Sequence, residues 1–234
     1  MIQATASIFA IVPAAGLGRR MKTERPKQYL LIHNKSVLEH TVNKLLQHPK
    51  IAKVIVVLND KDPYYPHLSI ADNKRVIPVL GGTERSESVL SGLTYVRDNE
   101  KAEWVMVHDA ARPCVNDRDI DKLIEVSLKH QVGGVLASPV RDTMKRANSV
   151  GNIESTVDRE SLWHALTPQM FRTEHLNAAL NKALSEGVNV TDEASAMEWV
   201  GLSPALVQGS AENIKITQPE DLALAEFYLN RNKG

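Results

Sequence analysis

This chain of 234 residues lacks several things, and each absence removes a class of explanation. It has one cysteine, Cys114, so no internal disulfide can form, which suits a reducing compartment. Its 28 basic and 28 acidic residues cancel, leaving no basic excess for coating a phosphate backbone, so nucleic acid is not an expected partner. No run approaches the roughly 18 uninterrupted apolar residues of a membrane span, so no membrane partner is expected either. The opening stretch Met1-Ile2-Gln3-Ala4-Thr5-Ala6 has neither a positive start nor a long apolar core. No signal peptide is expected, and the expected location is cytoplasmic. No Ser-His-Asp or Cys-His set is evident. Cys114 reads as a packing residue, and Trp104, Trp163 and Trp199 are too scattered for a stacking platform. Internal repeats and low-complexity segments are absent as well.

What is present is a core and a rhythm. With 43% hydrophobic and 24% charged residues, positions 1–234 are expected to form a single domain, because chains usually divide only above about 250 residues. Short apolar runs alternate with amphipathic stretches. Strands are predicted at Ile8 to Val12, Val54 to Leu58, Trp104 to Val107 and Gly134 to Ala137. Val-Ile-Val-Val-Leu at 54–58 hardly alternates, as in a parallel strand covered on both faces. Helices are predicted from Ser36, with Glu39 completing a capping box, from Ser86 to Val96, and around Ile120, Leu123, Ile124 and Leu128. Repeated strand–helix units predict an α/β fold with a mostly parallel, doubly wound sheet.

Two segments break the rhythm. Residues 138–162 are polar and hairpin-like, with a turn signal from Asn148 to Asn152. A two-stranded ribbon is at best marginal alone in water, and this one has too few apolar residues to bury itself. It is either an arm packed on a second chain or a mobile flap. Arms that cross a symmetric dimer favour the first. Asn213 to Thr217 reads as a late strand. Thr217 is then the N-cap of a last helix, with Pro219 in its first turn and Glu220 closing a capping box.

The first strand runs into Val12-Pro13-Ala14-Ala15-Gly16-Leu17-Gly18-Arg19-Arg20-Met21. Small residues at Ala14, Ala15, Gly16 and Gly18 let backbone N–H groups approach a ligand closely, where parallel sheets place ligands. Gly16 and Gly18 begin a dinucleotide fingerprint, but Met21 stands where the third glycine belongs, and no Walker lysine follows. Arg19, Arg20, Lys22, Arg25 and Lys27 instead put five cations in nine residues. A dinucleotide needs only backbone donors and a helix dipole. A triphosphate passing through a crowded, charged transition state needs added cations. The loop therefore favours nucleotidyl transfer over a hydride-transferring reductase, and a non-enzymatic nucleotide-sensing module is the rival that only a pyrophosphate-release assay separates.

Longer strings carry a resemblance. Val12-Pro13-Ala14-Ala15-Gly16, Arg20-Met21 and Pro26-Lys27-Gln28-Tyr29 are similar to the 2-C-methyl-D-erythritol 4-phosphate cytidylyltransferase family of the non-mevalonate isoprenoid pathway. Gly81-Gly82, Arg85 and Ser88-Val89 resemble its cytosine-reading segment, and His108 to Pro113 its metal and substrate motif. Val140 to Lys145, Thr156 to Arg159, Leu166 to Gln169, Thr191 to Ala194 and Asn213 to Lys215 follow in the family's order. The resemblance implies a Rossmann-like nucleotidyltransferase fold with a protruding β-arm at 138–162 that joins a homodimer. It implies CTP and methylerythritol phosphate as substrates, with Mg²⁺ or another divalent cation. Arg20, Lys27 and Lys215 are the implied catalytic cations. Pro13, Ala14, Ala15, Gly16, Gly18, Gly82, Thr83 and Ser88 are implied on the nucleotide, and Asp109, Arg112, Thr143 and Arg159 on the acceptor, with Asp109 also on the metal. Some members carry an acid where this chain has Thr83, so a side-chain contact to cytosine is open there while a backbone contact survives. A cytidylyltransferase for another polyol phosphate, such as ribitol 5-phosphate, is the near alternative.

The attacking group would be a phosphate monoester, already ionised near neutral pH because its second pKa is about 6. No general base is then required, and catalysis reduces to positioning and charge neutralisation. His108 reads as structural, since Mg²⁺ prefers oxygen ligands.

Overall fold

The structure is a computed structural model and describes residues 7–16 and 25–231. Its core is a seven-stranded sheet. In chain order the strands are β1 Ile8–Pro13, β4 Ile51–Leu58, β5 Val76–Leu80, β6 Trp104–Val107, β7 Gly133–Pro139, β10 Trp163–Arg172 and β11 Ala205–Gln208. In space they run β11-β7-β10-β6-β1-β4-β5. All neighbours are parallel except those of β10, which lies antiparallel between β6 and β7. Two short strands, β2 Leu31–Ile32 and β3 Lys35–Ser36, form a small ribbon before the first helix.

Strand periodicity makes the sheet two-faced. Ile8, Ala10 and Val12 of β1 face one way, with Val54 and Val56 of β4, and meet α1 (Val37–Gln47) and α3 (Asp117–Lys129). Phe9, Ile11, Ile55 and Val57 face the other way, against α2 (Arg85–Tyr95), α4 (Thr173–Ser185) and α5 (Glu193–Trp199). Both faces are covered, so the strands read as unbroken apolar runs. The capping box at Ser36 is formed: the Ser36 N–H donates to Glu39 Oε2 at 2.8 Å, and Ser36 Oγ accepts from the Glu39 N–H at 3.1 Å.

The strand and helix expectations hold to within a few residues at their ends, but two elements needed correction. Asn213 to Thr217 is not a strand. It is an extended strap tied to the sheet by the Ile216 N–H, which donates to the Ala111 carbonyl at 2.9 Å. The late strand is β11, eight residues earlier, which pairs with β7. The last helix, α6, spans Pro219–Arg231, and Asp221 rather than Glu220 closes its first turn. Asp221 Oδ2 accepts from the Thr217 and Gln218 N–H groups at 2.8 and 2.9 Å. Gln218 therefore stands at the cap, because the carboxylate that reaches back sits at the third helical position.

Between β7 and β10 the chain leaves the sheet as a hairpin, β8 (Met144–Ala147) paired with β9 (Ile153–Val157). Both of its strands are exposed almost throughout.

The order of formation defines the ligand end of the sheet. From β1 the chain builds outward through β4 and β5, then returns to place β6 on the opposite side of β1. That reversal is a topological switch point, and α/β sheets bind ligands outside the carboxyl ends of the strands there.

Candidate active site

A cleft of about 250 Å³ opens at this switch point. Pro13, Ala14, Ala15 and Gly16 from the end of β1 form one wall. Gly82, Thr83, Arg85 and Ser88, from the β5–α2 turn, form a second, and Asp109 to Ala111, after β6, a third. Lys27 and Lys215 enter from the remaining side.

The loop after β1 is held from behind. Gln28, only 4% exposed, donates through Nε2 to the carbonyls of Ala14 and Gly16 at 2.7 and 2.9 Å. Its neighbour Lys27 donates through Nζ to the Ile216 carbonyl at 2.9 Å. In the strap Asn213 and Ile216 are buried, and Lys215 between them reaches the cleft. Two amines from opposite ends of the sequence thus meet over one cavity.

Asp109 is the hub, at 7% exposure. Its Oδ2 lies 2.8 Å from Lys215 Nζ and 3.6 Å from Arg112 Nε, and its Oδ1 accepts from Arg85 Nε at 3.0 Å. Burial by itself would raise its pKa. Arg85, Lys215 and Arg112 outweigh that and hold the carboxyl well below the usual carboxylate range. Arg85 in turn is bound by Glu193, Nη1 to Oε1 at 2.7 Å. Burial lowers the Arg85 pKa, but Glu193 and Asp109 drive it above its ordinary value.

The base of the hub is neutral and tightly bonded. Thr167 Oγ1 accepts the Asp109 N–H at 3.0 Å and pairs with His108 Nδ1 at 3.0 Å. His108 Nε2 meets the Arg112 carbonyl at 2.9 Å, which makes Nε2 the protonated nitrogen. Burial pushes the His108 pKa down to about 4, so the ring is uncharged at neutral pH. It supports the Asp109 turn and takes no part in the cleft.

The β5–α2 turn has its own support. Glu87 Oε2 accepts from the N–H groups of Thr83 and Glu84 at 2.7 and 3.1 Å. The Thr83 N–H is therefore engaged within the protein, and Ser88 Oγ donates to the Glu84 carbonyl at 3.1 Å.

A family model described as 2-C-methyl-D-erythritol 4-phosphate cytidylyltransferase matches residues 8–231. The chain belongs to this cytidylyltransferase family. It is 67% identical over 234 residues to the protein of that name from Vibrio parahaemolyticus, covering 100% of both chains. It is 55% identical over 225 residues to the one from Salmonella paratyphi B, covering 96% of this chain and 94% of that one. Its fold is similar to a crystal structure of a 4-diphosphocytidyl-2C-methyl-D-erythritol synthase, with a TM-score of 0.83, 36% identity, and 95% and 98% of the two chains covered. The Francisella tularensis 2-C-methyl-D-erythritol 4-phosphate cytidylyltransferase gives a TM-score of 0.81 and 33% identity, over 95% and 99%.

Within this cytidylyltransferase fold the expected residues divide into three groups. Pro13 to Gly16, Lys27, Gly82, Thr83, Ser88, Asp109 and Lys215 all line the one cleft. Arg112 lies in the wall behind Asp109, with Nη1 donating to the Asn213 carbonyl at 2.6 Å and Nε without a hydrogen-bond partner among the described residues. Thr143 and Arg159 are exposed on the arm and do not line this chain's cleft. Gly18 and Arg20 lie outside the described residues. Sequence reasoning gave no role to Gln28, Thr167 or Glu193. Each lay inside a string that carried the resemblance, but a buried pairing such as Arg85–Glu193, 108 residues apart, leaves no local pattern to read.

Proposed function

We propose that the chain transfers CMP from CTP to 2-C-methyl-D-erythritol 4-phosphate, releasing pyrophosphate, by in-line attack of the acceptor's phosphate oxygen on the α-phosphorus. The supporting observation is the convergence of Lys27 and Lys215 on a cleft floored by the small-residue loop Ala14 to Gly16. The reaction joins two polyanions, so cations aimed at the meeting point are the main requirement. The nucleophile arrives ionised, and the cleft accordingly needs no base.

In this reading Arg20 and Lys27 bridge the triphosphate and stabilise its transition state, while Lys215 holds the α-phosphate and the nucleophile in line. Gly82, Thr83 and Ser88 hold cytosine; with the Thr83 N–H bound to Glu87, the turn's carbonyls and Ser88 are the groups left to read it. Asp109 fits a divalent cation, being a hard oxygen donor kept ionised by its neighbours. No group of three metal-ligating side chains occurs among the described residues, so Mg²⁺ would rest on Asp109 and the nucleotide's own phosphates. When bound, the ion would neutralise phosphate charge.

Arg112, Thr143 and Arg159 hold the acceptor phosphate; an arginine's forked donors suit that group. Because Thr143 and Arg159 stand on the exposed arm, they serve the cleft of a second copy, and the arm joins a homodimer. No helix among the described residues is long and apolar enough to cross a membrane, which agrees with action on soluble substrates.

The test is pyrophosphate release from CTP and Mg²⁺ with 2-C-methyl-D-erythritol 4-phosphate, in competition with ribitol 5-phosphate. Release driven by the erythritol phosphate is expected. A preference for the ribitol ester would move the acceptor assignment, and no release with either would end the transferase reading.

A further inference from the structure

Glu193 is the most deeply buried acid near the cleft, at 1% exposure, and it does not line the cleft. An ion so placed loses several kcal/mol of hydration unless it is paired and hydrogen-bonded. Its partner is Arg85, held by two bonds, Nη1 to Oε1 at 2.7 Å and Nη2 to Oε2 at 3.3 Å. The third side of the same guanidinium, Nε, faces Asp109 Oδ1 at 3.0 Å. One planar group therefore spans two carboxylates, and only one of those carboxylates belongs to the cleft.

Arg85 sits at an unfavourable place for a cation. It is the first residue of α2, where the helix dipole favours negative charge. Nothing in its own helix holds it there. Glu193 and Asp109 do, from α5 and from the end of β6. The position of Glu193 is itself fixed. The Ala194 N–H donates to Gln169 Oε1 at 2.9 Å, and Gln169 Nε2 donates to Asp192 Oδ2 at 2.9 Å, so the start of α5 is bolted to β10. The geometry then runs in one direction: α5 fixes Glu193, Glu193 fixes Arg85, and Arg85 takes Oδ1 of Asp109. Only Oδ2 is left to face Lys215, at 2.8 Å.

We infer that Glu193 is a positioning residue for the transfer reaction, acting through Arg85 to orient Asp109 and, through it, Lys215. The inference rests on the cytidylyl-transfer reading above. Without the Glu193 charge, Arg85 would keep one carboxylate partner instead of two and would rotate onto Asp109, competing with Lys215 for both of its oxygens. Lys215 would then lose its aim, while the loop and the turn that hold the nucleotide would be untouched.

The experiment compares Glu193→Gln, Arg85→Gln and the double substitution. Glu193→Gln is expected to lower kcat by roughly tenfold to a hundredfold, the usual range for a group that orients a reacting group's neighbour, while KM for CTP stays within about threefold. It should also lower Tm, because Arg85 is left buried and half-paired. In the double variant two amides can hydrogen-bond, so Tm should recover, while kcat should fall no further than in Arg85→Gln alone. Recovery of kcat together with Tm would make the pair merely structural, and additive losses or a silent Glu193→Gln would equally overturn the inference. A crystal structure of Glu193→Gln gives a readout independent of turnover. Arg85 should have rotated further onto Asp109 and come within hydrogen-bond distance of Oδ2, the oxygen that faces Lys215 at 2.8 Å, and a guanidinium still confined to Oδ1 at 3.0 Å would refute the relay even if the wild type proved to catalyse another reaction.

Discussion

The cleft and the arm treat charged residues in opposite ways. Around Asp109 the protein satisfies its ions internally, with Arg85, Arg112, Lys215 and Glu193 each placed by a named contact. On the arm, β8 and β9 are exposed, Val150 at the turn is 76% exposed, and Arg159 donates to the backbone carbonyl of Arg141, within the arm itself. The cleft is organised before any ligand arrives. The arm's side-chain bonds stay within the hairpin, such as Lys145 Nζ to Thr156 Oγ1 at 2.6 Å, and none of those described ties it to the sheet.

That contrast can be broken or sharpened by substitution. The largest effect belongs to Lys27→Ala, which should cut kcat by roughly 10²- to 10³-fold, as expected for removing one donor from a transition-state cradle. Its Tm should hardly change, because the side chain contributes charge and not core packing. Near-normal turnover would remove Lys27 from the mechanism. Asp109→Asn should come next, destabilising the fold by about 3 kcal/mol in urea unfolding, since three cations lose their common carboxylate. A loss below about 1 kcal/mol would mean that the cleft is not internally balanced.

The arm should respond differently. Replacing residues 144–157 by a short turn should leave a cooperative unfolding transition at nearly the same temperature, yet abolish both dimer elution and acceptor turnover. Mixing Arg159→Ala chains with Lys27→Ala chains should recover part of the activity that each variant lacks alone; mixed dimers that stay inactive would place the acceptor site within one chain.

The smallest effects separate two glycines. A Cβ on Gly82 would lie 2.4 Å from the Glu87 Cβ, so Gly82→Ala should dislodge the carboxylate that holds the β5–α2 turn and raise KM for CTP about tenfold. Gly151, at φ +86°, has open space around it. Gly151→Ala should cost about 1–2 kcal/mol of local backbone strain. It would be seen as faster amide exchange in the hairpin, with kcat unchanged.

How much was legible in the sequence follows from the same physics. β1, β4 and β6 were readable because strands covered on both faces become apolar runs, and α1 because Ser36 and Glu39 announce its start. The sequence reading places no element between Trp163 and Gln208, although Leu176, Ala179, Leu180 and Ala183 carry the helical spacing of α4. β10 is interrupted by Thr167-Pro168-Gln169, where its register with β7 shifts, and those polar side chains point to Asp109 and α5 instead of following a strand pattern. The Asn213 to Thr217 strap imitates a strand because it is extended and partly buried, with Asn213 and Ile216 in the interior, but its Ile216 N–H bonds to the Ala111 carbonyl after β6 and not to a ladder. Lys27 and Asp109 were legible as residues of the cleft. The buried ion pairs around them, made across 24 and 108 residues, were not.

β10 has one further consequence. It leaves the arm at Trp163, passes Thr167, whose hydroxyl receives the Asp109 amide, and ends at Arg172. At about 3.4 Å per residue, the arm's root stands on the order of 13 Å along the strand from that hydroxyl. The arm's end of the strand, Trp163 to Ala165, pairs with β7 alone, and from Gln169 on the strand is held by both β6 and β7. The arm and the cleft are thus joined by one strand, through the single bond in which the Thr167 hydroxyl accepts the Asp109 N–H.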